Sequence, residues 1–134
     1  MTDYLRDASV IIADDQEFIG NVLREMLRVL GARDIRVVYD GETAWTEFKS
    51  RPSDIVILDW EMQPCNGLEL TMRIRHDPES PNKFVPIIMC TAHREKANVF
   101  RARDAGVTEF VIKPISPKAL FSRIEAVIAK RLGC

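Results

Sequence analysis

No apolar run in this chain approaches the length of a membrane span, and its first residues, MTDYLRDAS, lack the basic-then-apolar order of a signal peptide. A cytoplasmic protein without membrane insertion is expected. Cysteine is scarce: Cys65, Cys90 and Cys134 are odd in number, far apart, and have no His or Cys at metal spacing. That argues against a disulfide framework and a zinc site and predicts free thiols, two packed and one at the C-terminus. Charge of one sign is lacking as well. With 19 basic and 20 acidic residues the formal charge is -1, so no global field draws the chain to nucleic acid or anionic lipid. Partners must be chosen by local surface. Internal repeats and low-complexity segments are absent.

What is present is a regular alternation. The 134 residues fit one domain, expected over 1–134 with its core at about 9–132, which buries roughly two thirds of its unfolded surface. Ser9 to Ala13, Ile35 to Val38, Ile55 to Leu58, Pro86 to Cys90 and Glu109 to Ile112 read as strands. Ile55 to Leu58 has no polar alternation, the mark of a strand buried on both faces. Between the strands, Phe18, Ile19, Val22, Leu23, Met26, Leu27 and Leu30 repeat at helical spacing; a second helix carries Ala44, Trp45 and Phe48, and Gly67 to Arg75 reads as a third through Leu68, Leu70, Met72 and Ile74. A fourth helix is expected from about Glu95 to Ala105. Ser116-Pro117 starts the last, whose apolar face runs through Leu120, Ile124, Val127 and Leu132. Asp40-Gly41 reads as a turn, and His76 to Val85 as a loop. Five strands alternating with five helices predict an α/β three-layer sandwich around a parallel sheet.

Four strand ends then carry polar residues: Asp14-Asp15, Asp59, Thr91 and Lys113. Parallel strands end on one side of the sheet, where the ligand crevice of an open α/β fold lies. Two carboxylates about 4 Å apart repel by on the order of 4 kcal/mol at an effective dielectric near 20, so a cation must accompany them. Lys113 is one candidate. Mg2+ is the other, since carboxylate oxygens and waters match its preference. With that charge offset, one carboxylate is free to act as a nucleophile towards a phosphoryl group.

These residues make the chain similar to the receiver domain of two-component response regulators, in its stand-alone, chemotaxis-regulator-like form. The likeness runs from about Val10 to Leu132: an acidic pair after strand one, an Asp after strand three, a Thr after strand four and a Lys-Pro after strand five. The separations fit too, 44 residues from Asp15 to Asp59 and 22 from Thr91 to Lys113. The resemblance implies a flavodoxin-like sheet of order 2-1-3-4-5. It implies that Asp59 is the phosphoacceptor, supplied by a sensor histidine kinase or histidine phosphotransfer protein. It further implies Mg2+ held by Asp14, Asp15, Asp59 and the Glu61 backbone carbonyl. Thr91 and Lys113 would contact the phosphoryl oxygens, Lys113-Pro114 would be cis, and Thr91 and Phe110 would form the switch. The output surface would involve Val99, Arg103, Phe110 and Lys118, binding a downstream target protein or a second copy after phosphorylation.

The chain departs from the family pattern at Met62-Gln63-Pro64, where proline falls one place late, and before Pro86, where a surface extension is expected. Glu61 and His93 flank the crevice, where side chains in the family affect phosphoryl lifetime. Trp60, next to the acceptor, is a candidate fluorescence reporter of metal binding. The chain stops soon after the last helix, so no output domain is expected. A turnover enzyme with an Asp nucleophile is the rival reading; Asp59-Trp60-Glu61 lies on the third strand, whereas haloacid-dehalogenase-like enzymes carry their Asp-x-Asp after the first. An FMN carrier is disfavoured, because Asp14-Asp15-Gln16-Glu17 would repel a phosphate. A receiver fold that binds partners without phosphorylation is the remaining alternative.

Overall fold

The computed structural model describes residues 5–131; Leu132 and Cys134 lie outside them. In order, the elements are β1 (Ser9–Ala13), α1 (Glu17–Val29), β2 (Asp34–Val38), α2 (Gly41–Ser50), β3 (Ile55–Leu58), α3 (Gly67–His76), β4 (Ile87–Thr91), α4 (Lys96–Ala105), β5 (Glu109–Ile112) and α5 (Pro117–Arg131). The five strands form one parallel sheet in the order β2-β1-β3-β4-β5. This is the flavodoxin-like three-layer arrangement anticipated above.

The apolar runs of β1, β3 and β4 serve two cores at once, because successive side chains point to opposite faces. Ile11, Val56, Leu58, Ile87 and Met89 pack under Trp45, Phe48, Leu70 and Ile74 of α2 and α3. Val10, Ile12, Ile55, Ile57, Ile88 and Cys90 face α1 and α5, against Leu23, Leu27, Leu120, Ile124 and Val127. Each fully buried aliphatic side chain contributes roughly 1.5–3 kcal/mol, and the central strands carry little else. Leu5, ahead of the expected core, is also fully buried and joins the second cluster.

Several helix starts have local causes. Asp40 accepts from Thr43 N (2.7 Å), so Asp40-Gly41 is a cap and a first helical residue, not a separate turn. Asn66 and Glu69 form a reciprocal capping box. Ser116 Oγ accepts from Ala119 N (3.1 Å) at the start of α5. Strand β4 begins one residue later than the apolar run suggested and takes in Thr91, while the Pro86 carbonyl still accepts from Val56 N at 3.0 Å. Helix α4 starts at Lys96, with Glu95 at its N-cap.

Two glycines fix the approach of α2 and α3 to the strand ends. A Cβ on Gly67 would overlap the Asp59 carbonyl oxygen, and one on Gly41 the Cys65 carbonyl oxygen. Between them, the β3–α3 loop takes its own path: Gln63-Pro64 is cis, Cys65 sits at φ 67, and Gly41 N donates to Pro64 O at 3.2 Å.

Candidate functional site

The sheet brings the polar strand ends together. Past β1, Asp14 N donates to Val38 O (3.1 Å); past β3, Asp59 N donates to Ala13 O (2.9 Å); past β5, Lys113 N donates to Thr91 O (2.8 Å). The ladder therefore extends one residue beyond the strands and holds the backbones that carry the site. Carboxylate oxygens of Asp14, Asp15 and Asp59 all lie within 4.8 Å of one another. Asp14 is 1% and Asp59 5% exposed, whereas Asp15 faces solvent.

Lys113 Nζ reaches between the two buried carboxylates, 3.1 Å from Asp14 Oδ2 and 3.4 Å from Asp59 Oδ1. Asp14 Oδ1 accepts from Gln16 N (2.9 Å), and Asp59 Oδ1 from Trp60 N (2.8 Å). Burial pushes the Asp59 carboxyl up to about 6, opposed by Lys113 and reinforced by Asp14. Burial also disfavours the Lys113 ammonium, but Asp59 and Asp14 outweigh it and hold the group above its usual value. One ammonium against three carboxylates leaves a negative excess. The donors are all hard oxygens, two positioned by backbone amides and one open to water. Such a set fits a hexacoordinate divalent cation that keeps several waters, and the residues therefore fit Mg2+.

Thr91 is 0% exposed; its Oγ1 accepts from His93 N at 3.1 Å. The Lys113-Pro114 bond is cis. Beside Asp59, the buried Trp60 ring lies 5.3 Å from the His93 ring, and the Arg101 guanidinium stands 5.5 Å over its face. His93 Nε2 meets Glu61 Oε1 at 2.5 Å, so the Glu61 carboxylate turns to the histidine. The sequence placed Glu61 and His93 together beside the crevice and Trp60 next to the acceptor, but not the contacts among the three, nor Arg101. No local signal marks it, since the contact joins α4 to the β3–α3 loop.

On the far edge of the sheet, half-buried Phe110 packs against the first core. It shares with Val99 and Arg103 a groove of about 340 Å³ between α4 and β5. Lys118 is exposed on α5, outside that groove's walls. Cys90 is buried, its thiol pushed up to about 12 by burial, and Cys65 is half-buried. His76 is exposed.

The fold and the acidic strand-end cluster define a receiver, and the response regulator receiver domain family matches residues 10–125. The chain belongs to that family, whose members are signalling domains of two-component systems. It is similar to the chemotaxis protein CheY1 of Helicobacter pylori, at 32% identity over 120 residues that cover 89% of this chain and 95% of that protein. Among solved structures, a putative response regulator from Chloroflexus aurantiacus matches with a TM-score of 0.83 at 27% identity, covering 91% of this chain and 98% of that one. The chemotaxis protein CheY4 of Vibrio cholerae matches with a TM-score of 0.81 at 25% identity, covering 90% and 98%. Among the described residues no helix is long and apolar enough to cross a membrane.

Proposed function

We propose that Asp59 is a phosphoacceptor, taking a phosphoryl group from the phosphohistidine of a sensor histidine kinase or histidine phosphotransfer protein. A carboxylate oxygen of Asp59 attacks phosphorus, the bond to the imidazole nitrogen breaks, and the aspartyl phosphate forms. The observation that carries this reading is Asp59 itself: buried, bonded to Lys113, and beside the Asp14 and Asp15 carboxylates.

Asp14, Asp15, Asp59 and the Glu61 backbone carbonyl would hold Mg2+, which when bound supplies charge neutralisation for the transferring oxygens. Lys113 stabilises the same oxygens from the other side, its ammonium kept charged by Asp59 and Asp14. The Thr91 hydroxyl, at the end of β4, donates to a phosphoryl oxygen once it releases its bond to His93 N. That movement vacates space towards which Phe110 turns, and the groove of Val99, Arg103 and Phe110, together with the exposed Lys118 on α5, presents the change to a downstream target protein. The same surface can support a phosphorylation-dependent dimer.

Intact-mass spectrometry after incubation with acetyl phosphate or phosphoramidate tests the chemistry. The wild type should gain one phosphoryl group only when Mg2+ is present, and Asp59→Asn should gain none. A wild type that stays unmodified would leave a binding module that acts without phosphorylation.

A further inference from the structure

The extended loop between α3 and β4 presents Phe84 at 90% exposure. Its backbone is held on both sides. Phe84 N donates to Asn82 Oδ1 (3.0 Å), and one guanidinium nitrogen of Arg75 donates to the carbonyls of Lys83 (2.9 Å) and Val85 (2.7 Å). A fixed frame therefore carries an aromatic ring that the chain itself leaves uncovered. Beside the ring, a groove of about 460 Å³ runs from Arg75, His76 and Lys83 to Asp104, Ala105 and Gly106 at the end of α4. It opens where β4 and β5 begin, the length of a strand, about 16 Å, from the acidic cluster at their other end. It shares no wall residue with the α4–β5 groove.

Charge in this groove is out of balance. Arg75 is half-buried, yet its bonds all go to neutral acceptors, three carbonyls and the Thr108 hydroxyl. Burial draws its guanidinium below the usual value, and no carboxylate opposes that shift. Lys83 Nζ also donates to a carbonyl, that of Asp77 (2.6 Å). The acids nearest in sequence are engaged elsewhere: Asp77 Oδ1 accepts from Glu79 N (2.8 Å), and Glu79 pairs with Lys49 (3.3 Å). Asp104 is the one acid in the groove's walls, so Arg75 and Lys83 leave a positive excess, to which a protonated His76 adds. A half-buried cation held only by neutral acceptors gains a charge-assisted bond when a carboxylate arrives.

We propose that this groove docks an acidic segment of a partner protein, with an apolar side chain of that segment packed on Phe84 and a carboxylate beside Arg75 and Lys83. A rigid aromatic anchor supplies the contact area, and the cations beside it select the sign of the partner. A partner bound there leaves Asp59 and Thr91 open at the opposite end of the sheet. The inference does not rest on phosphoryl transfer.

Two blocked hexapeptides, Glu-Glu-Leu-Leu-Glu-Glu and Lys-Lys-Leu-Leu-Lys-Lys, titrated into the isotopically labelled full chain, test it through amide chemical shifts. The acidic peptide should shift the amides of Lys83, Phe84 and Gly106 along a saturable curve, and the basic peptide should not. Phe84→Ser, at a position exposed enough to leave folding intact, should weaken the acidic peptide at least fivefold. Asp104→Asn removes the opposing charge and should tighten it at least twofold. The absence of saturable shifts overturns the proposal, as do equal responses to the two peptides or binding unaffected by Phe84→Ser. So does a sedimentation coefficient that rises with concentration in the wild type but not in Phe84→Ser, which assigns the groove to a second copy of the chain.

Discussion

Lys113 Nζ donates to Asp14 Oδ2 at 3.1 Å across 99 residues of sequence, from the end of an edge strand to the end of a central one. The ammonium is the counter-charge for carboxylates that are otherwise buried together. Lys113→Met should therefore lower the unfolding free energy by about 2–3 kcal/mol at neutral pH without divalent cation, since removing one partner leaves buried charge unpaired. Urea titration checks this, and added Mg2+ should recover part of the loss.

The Asp59 carboxyl gives stability a pH signature of definite sign. Its folded pKa, pushed up to about 6, lies above the ordinary carboxylate value of 3.8. The folded state therefore binds the proton more tightly than the unfolded chain does. The stability this supplies is complete below about pH 4 and is lost as pH rises through about 6. In metal-free buffer Asp59→Asn should be more stable than wild type at pH 7, and the gap should close by pH 4. Denaturant midpoints across that range would show it; a constant gap would contradict the assignment.

Arg75 is the main tie between α3 and the start of the β4–β5 pair. It donates to the carbonyls of Gly106 (2.9 Å), Lys83 (2.9 Å) and Val85 (2.7 Å), and to Thr108 Oγ1 (3.3 Å). Arg75→Ala leaves several of these acceptors without a donor and should cost about 2–4 kcal/mol. Arg75→Lys should recover less than half, because an ammonium cannot reproduce the fork. Thermal unfolding of the two variants separates these outcomes.

Trp60 should report occupancy of the acidic cluster. It is buried next to Asp59, and its amide is bonded to the Asp59 carboxylate. Mg2+ titration should change tryptophan emission in the wild type, while Trp60→Phe should keep only a flat signal from Trp45, which lies under Lys49 and Arg73. Asp59→Asn should weaken the apparent Mg2+ affinity by tenfold or more.

The strands and helices were legible because their causes are local. The unbroken run Ile55 to Leu58, the stripe Leu23, Leu27 and Leu30, and the Ser116-Pro117 start each need only neighbours a few residues away. The positions of Asp14, Asp15, Asp59, Thr91 and Lys113 at strand ends followed from those runs, and parallel pairing alone was enough to gather them on one side of the sheet. The boundary shifts at Asp40-Gly41, Pro86 and Glu95 reflect hydrogen bonds made at the element ends, which composition does not display.

What the amino-acid order determined by itself was which segments bury, on which period, and which residues stand where the buried runs stop. Only the tertiary structure decided that Lys113 lies between Asp14 and Asp59, that Arg101 and His93 meet over Trp60, and that Arg75 gathers four acceptors. It also decided that Phe18 and Phe121 line one open groove. Those pairings join residues far apart in the chain, and their distances depend on strand order and helix placement, which periodicity does not encode.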